Sequence, residues 1–251
     1  MALADSAGVP WEGRHFESNT HSTDDGSAPQ PLIDAIASFH AGQATEAAVV
    51  DALRESRLLI PLVAHLGEEG TSESGHKIDK SQELSIVTVA GPDGRNVLPV
   101  FSSVAAMQRW NRQARPVPAD GIRVALAAAS ENTDLVVLDP LSDTEFVVRR
   151  PALWAIAQGK PWLPSYRDAE VADAFTGSVA SEPSVVEVRL APGDPNARLT
   201  GAEVLVCLTL IDGLSQGSLT DLLQRLQADW ATSTVIAERV DSMTVRLFAS
   251  R

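Results

Sequence analysis

The stretch NVLPVFSSVAAMQRWN, Asn96 to Asn111, decides how the chain is organised. Val97, Leu98, Val100 and Phe101 form a short apolar run rich in β-branched and aromatic residues, which reads as a strand. Pro99 inside it removes a ladder donor and predicts an edge position or a bulge. Ser102 or Ser103 then offers a hydroxyl to a free backbone N–H of the next turn, and Val104, Met107 and Trp110 share a helical face. The expectation is a strand, a serine cap and an amphipathic helix in immediate succession.

Working outward, the strand is the second arm of a hairpin. ELSIVTVA supplies the first arm, and Pro92, Asp93 and Gly94 supply the turn. Further upstream, RLLIPLVAHL (57–66) reads as another strand, with Pro61 again predicting an edge or bulge. Before it, Leu32, Ile33, Ile36 and Phe39 have helical spacing up to Gly42, and Thr45 starts a second helix through Val49, Ala52 and Leu53. Residues 67–82 read as a polar loop, and residues 1–28 as a flexible acidic tail too poor in aliphatics to fold.

Downstream, an extended RPVPAD leads into the helix GIRVALAAASEN, whose small Ala face suits close approach to a sheet. DLVVLDP and EFVVRR are strands around a turn. Pro151 opens a helix carrying Leu153, Ile156 and Ala157, which Gly159 and Pro161 close. A further helix is expected over 168–180. The pattern restarts at Glu182-Pro183. VVEVRLA and the nearly all-apolar AEVLVCLTLI are strands, the latter central. A helix comes next with Leu219, Leu222, Leu223, Leu226 and Trp230 on one face, entered through a capping box at Ser218. TVIAERV and MTVRLFA are read as two closing strands.

The fold class is therefore α+β, with two small domains, each a mixed or mainly antiparallel sheet covered by helices. They span 29–182 and 183–251, the second in the order β-β-α-β-β.

Composition narrows the function. The chain has 251 residues, a formal charge of −13, and 44% apolar residues. Residues 1–100 hold 6 basic and 15 acidic residues, so the acidity is mainly N-terminal. A surface of that sign repels phosphate backbones, and no basic run offsets it, which excludes nucleic acid as a partner. The apolar runs fall short of the ~20 residues of a membrane span, and no signal pattern opens the chain, so a cytoplasmic protein is expected. The single cysteine, Cys207, sits in an apolar strand as a small buried hydrophobe.

Three spaced segments carry a family resemblance: RLLIPLV at 57–63, LPVFSSVAAMQRW at 98–110, and LVVLDP with FVVRR at 135–150. In this order they resemble the SseB family, named for an enhanced-serine-sensitivity phenotype, over roughly residues 45–160. Ser102 stands where threonine is common in that family, which keeps a capping hydroxyl. The Ala-rich, Arg-over-Lys composition suggests an actinobacterial type. The resemblance implies a fold and an unlike C-terminal domain, and no molecular activity to carry over.

No catalytic constellation is visible. Phe101-Ser102-Ser103-Val104 lacks the glycines of a nucleophile elbow, so capping explains the serines better. His65 and His76 have no metal-ligand spacing, and no cofactor is expected. For binding, Trp162 and Tyr166 in the KPWLPSY segment are the first candidates, with Phe101, Asp139 and Arg149 after them. The function expected is a non-catalytic interaction or regulatory module with an unidentified protein partner. The alternative is a binder of a small, amino-acid-like metabolite, with an enzyme third. Self-association as a homodimer is open.

Overall fold

The computed structural model describes residues 24–65 and 83–250, and it realises the strand, cap and helix of the opening stretch. The expected tail is described only from Asp24 onward. The expected loop at 67–82 lies outside the described residues, and His76 with it.

Strand β4 (Asn96–Val100) ends at Phe101, and helix α3 (Val104–Trp110) begins shortly after it. Ser103 is the cap, its hydroxyl accepting from the backbone N–H of Ala106 at 3.1 Å. Residues 24–28 lie against this junction. The Val104 N–H donates to the Gly26 carbonyl, and Arg57 pairs with Asp24 at 2.7 Å.

Among the described residues there are eight α-helices and three sheets, an α+β arrangement. One sheet runs β3-β4-β6-β7, with β3 (Val89–Ala90), β6 (Val136–Leu138) and β7 (Phe146–Val148). β4 pairs parallel with β6, and the other pairs are antiparallel. A second sheet runs β2-β1-β5, with β1 (Arg57–His65), β2 (Glu83–Ile86) and β5 (Arg115–Asp120). A bridge between Leu59 and Phe101 joins the two.

The prolines need a correction. β1 and β4 are both inner strands, so Pro61 and Pro99 do not mark sheet edges. They mark local gaps. The Leu98 N–H donates to Leu135 beside β6, so the nitrogen of Pro99 points the opposite way, beyond where β3 stops. Pro61 lies where β1 changes neighbour, from β2 to Phe101. The edges of this sheet are β2 and β5, the latter expected only as extended chain. Pro116 and Pro118 alternate with Val117, which pairs with Ile60, so both prolines turn their nitrogens outward and leave that edge without donors.

Helices α1 (Gln30–His40), α2 (Glu46–Arg54), α4 (Gly121–Ser130) and α5 (Arg150–Ala157) cover one face of the β3-β4-β6-β7 sheet. There Leu98, Val100, Val136, Leu138, Phe146 and Val148 pack with Leu32, Ile36, Leu53 and Ile156. The alternate residues Val97, Val137 and Val147 face the other way, where no described helix packs and Leu199 and Val89 are their neighbours.

The last sheet runs β10-β9-β8, with β8 (Val185–Pro192), β9 (Val204–Leu210) and β10 (Met243–Ala249), and β9 is central as expected. Its core takes Leu222, Leu226 and Trp230 of α7 (Gln216–Thr232), and also Val171 and Phe175 of α6 (Ala169–Val179). Two readings are corrected here. Residues 234–239 are a helix, α8 (Thr234–Arg239), not a strand: the Ser233 hydroxyl caps it, and Ile236 and Val240 are buried one turn apart. The order is thus β-β-α-α-β, which lets β10 return parallel to β9. Helix α7 starts earlier than its capping-box reading, because Ser215 accepts from Ser218 N–H at 3.1 Å.

Candidate functional site

Asp139 ends β6 inside the protein, 1% exposed. Its carboxylate accepts from the Ser102 N–H at 2.8 Å, the Ser102 hydroxyl at 2.6 Å and the Thr144 hydroxyl at 2.8 Å. The two serines of the motif therefore have separate tasks: Ser103 caps α3, and Ser102 ties β4 to the turn after β6. That turn is sharply bent. Asp139 and Leu141 both have left-handed φ values, 44° and 64°, a region that β-carbon crowding makes costly for residues other than glycine. Leu141 is held there with its side chain 92% exposed, while its N–H donates to Glu145.

Beside this turn lies a cleft of about 390 Å³ on the sheet face that no described helix covers. Val97, Pro99, Val137 and Val147 form its floor, and Trp110, Leu141 and Leu199 stand around it. Trp110 is itself anchored on Phe101, ring centroids 5.3 Å apart. Leu199 arrives from the loop between β8 and β9, whose backbone is shaped for the purpose. Ala197 and Leu199 have positive φ, and Asp194 accepts from the Leu199 N–H at 2.8 Å and the Thr200 hydroxyl at 2.8 Å. Gly193 and Gly201 close the loop's base, where a β-carbon on either would strike the backbone opposite.

A second cluster is polar and buried. Arg149 donates to Asp194 at 2.7 Å and to Asp241 at 3.0 Å, and Arg95 also reaches Asp241, at 2.9 Å. Glu203 accepts from the Ser165 hydroxyl at 2.7 Å and the Asp241 N–H. Tyr166 donates to Glu46 at 3.2 Å. Burial pushes the Glu46 carboxyl up to about 7, against the lowering effect of the Tyr166 hydrogen bond. Burial raises Glu203 as well, although its hydrogen bonds from Asp241 and Ser165 oppose the shift. For Asp241 burial also disfavours the charge, but the guanidinium groups of Arg95 and Arg149 outweigh it and hold the carboxyl below its ordinary range. Arg149 thus pairs with Asp194 and Asp241, and Arg95 with Asp241 and Asp93, while among the described residues Glu46 and Glu203 have no ion pair and burial favours their protonated forms. Between Glu46, Arg149, Trp162 and Glu203 lies a void of about 10 Å³, the scale of a single water. The enclosed Trp162 Nε1 is without a protein partner among the described residues.

The family model described as SseB protein N-terminal domain matches residues 32–155. The chain belongs to the SseB family. No curated protein and no solved structure gives a significant match. Within the SseB domain, the segments that carried the resemblance meet in one place. LPVFSSVAAMQRW provides Pro99 of the floor and the Trp110 wall, LVVLDP provides Val137 and the strained turn, and FVVRR provides Val147 and then Arg149. Arg149 points away from the cleft, to the junction between the SseB domain and the β8–β9–β10 sheet.

The five candidate residues therefore fall in two places. Phe101, fully buried, and Asp139 lie beneath and beside the cleft as its support. Trp162, Tyr166 and Arg149 meet at the junction, where Trp162 packs on the SseB core and Arg149 is 7% exposed. Sequence reasoning missed Leu141 and Leu199 at the cleft, and Glu46, Asp194, Glu203 and Asp241 at the junction. Leu141 had a signal, an apolar residue directly after Asp-Pro in a turn. The carboxyls had none, since each is one acid among many in an acidic chain. No group of metal-ligating side chains is found among the described residues, and no described helix is long and apolar enough to cross a membrane.

Proposed function

We propose that this SseB-family chain is a non-catalytic interaction module whose cleft takes an extended, apolar segment of a protein partner. The observation that carries the reading is the exposed Leu141 beside a cleft of about 390 Å³, on the sheet face that no described helix covers. β4, β6 and β7 are apolar on both sides, described helices cover one side only, and Leu141 stands 92% exposed at the rim of the other. The floor valines are closed over at 2–7% exposure, so the apolar surface open to water is chiefly that of Leu141. Leaving it there costs roughly 25 cal/mol per Å², and a rigid strained turn that presents a leucine to water is the kind of feature found at binding sites.

Ser102 and Asp139 support the non-catalytic side. Each is engaged with the other, both are sealed at 2% and 1% exposure, and no described histidine or lysine bonds to either. A small metabolite is the second reading, favoured by the cleft's volume and by Arg198 and Glu145 in its lining. The acidic composition and lone cysteine support placing this module in the cytoplasm.

The test is selection from a displayed peptide library. The expected binders are apolar, proline-containing segments, and Leu141→Asp weakens them about tenfold or more while leaving Tm unchanged, because an exposed side chain contributes to the interface and little to the core. Binders indifferent to Leu141→Asp, or turnover in an unbiased metabolite screen, would overturn the proposal.

A further inference from the structure

Helix α4 is apolar nearly all the way round. Val124, Ala125 and Ala128 face the core and are at most 4% exposed. Ile122 and Leu126, on the opposite side one turn apart, are 40% and 55% exposed. A surface helix packed on one core needs only one apolar stripe, so the second stripe calls for a second cover. Next to it, Trp154 of α5 is 44% exposed and stands over a groove of about 400 Å³ whose floor is Ala125, Ala128 and Ala129. The Arg150 guanidinium lies 5.0 Å from the Trp154 ring and fixes it in place. Large side chains thus adjoin a small-residue hollow on one surface, which is the self-complementarity that a two-fold contact requires.

The charges select the direction. Arg123 lies in the first turn of α4, and exposed Glu131 is its C-cap, the reverse of what the helix dipole favours. Within the chain Arg123 reaches Asp120 only at 3.7 Å, with the two side chains 70% and 52% exposed, a contact of little strength. We infer that α4 and α5 form the contact between two copies of this chain, their α4 helices antiparallel about a two-fold axis near Leu126. In that arrangement the dipoles oppose, Leu126 packs beside the partner's Leu126, and Arg123 comes within a turn of the partner's Glu131. The contact is separate from the cleft and leaves it open, so its failure would not touch the proposed function.

Sedimentation velocity on the full chain, from micromolar to hundreds of micromolar, should show a monomer–dimer equilibrium. Leu126→Glu should weaken it by about tenfold or more with Tm unchanged. Arg123→Glu and Glu131→Arg should each weaken it, and the two together should restore it, since each copy's new pair then matches. A chain that stays monomeric throughout, a dimer indifferent to Leu126→Glu, or a double exchange no better than its singles would overturn the inference. A monomer that instead binds a foreign amphipathic helix on α4 would do so too, and would assign the face to that partner.

Discussion

Glu46→Gln isolates the buried proton at the junction. Glu46 begins α2 and receives the Tyr166 hydroxyl at 3.2 Å, and burial raises its carboxyl from 4.5 to about 7. A shift of that size, at about 1.36 kcal/mol per unit, corresponds to roughly 3 kcal/mol between the two protonation states. The sign comes from linkage. A carboxyl whose folded pKa lies above its unfolded value stabilises the fold fully below about pH 4.5, and that contribution is lost as pH rises to about 7. Glutamine keeps a carbonyl acceptor for Tyr166 and carries no charge at any pH. The two proteins should therefore be about equally stable near pH 4.5, and the variant should become more stable by about 1–3 kcal/mol at pH 8. Glu203 titrates in both, but the repulsion between the Glu46 and Glu203 charges is absent from the variant, which adds to its advantage at high pH. Urea unfolding at several pH values, with the m-value checked for constancy, measures the difference. A gap that does not change with pH, or a variant less stable at pH 8, would refute the reasoning.

The same geometry sets the other expected outcomes. Ser103→Ala removes a cap and should cost about 0.5–2 kcal/mol, with Ser103→Asp costing much less. Asp139→Ala should cost more, about 3 kcal/mol, because three donors lose a charged acceptor at a left-handed position; chemical denaturation ranks them. Since Val171 and Phe175 belong to the β8–β9–β10 core, we propose that this unit begins before α6, and a fragment starting at Pro164 should give better dispersed amide resonances than one starting at Pro183.

What the sequence determined by itself was local. The strand, serine cap and helix from Asn96 to Trp110 rest on a run of apolar residues, one hydroxyl three residues from its N–H, and spacing within a turn or two. Such signals act over a few residues and can be read without knowing the rest of the chain. Even at that range, residues 234–239 show the limit, because a six-residue run with both Val235 and Ile236 fits either period until Ser233 caps it.

Only the tertiary structure decided that helices cover one face and that Leu199, from about fifty residues further along, shares the other with Leu141. It also decided the junction. Arg149 finds Asp194 and Asp241 at sequence separations of 45 and 92 residues. An acidic chain offers many carboxylates to one guanidinium, and which of them it meets depends on how the sheets are ordered and how the β8–β9 loop is bent. Pairing over such distances is set by topology and by the cost of leaving a buried charge unpaired, and neither quantity is written in any short window of residues.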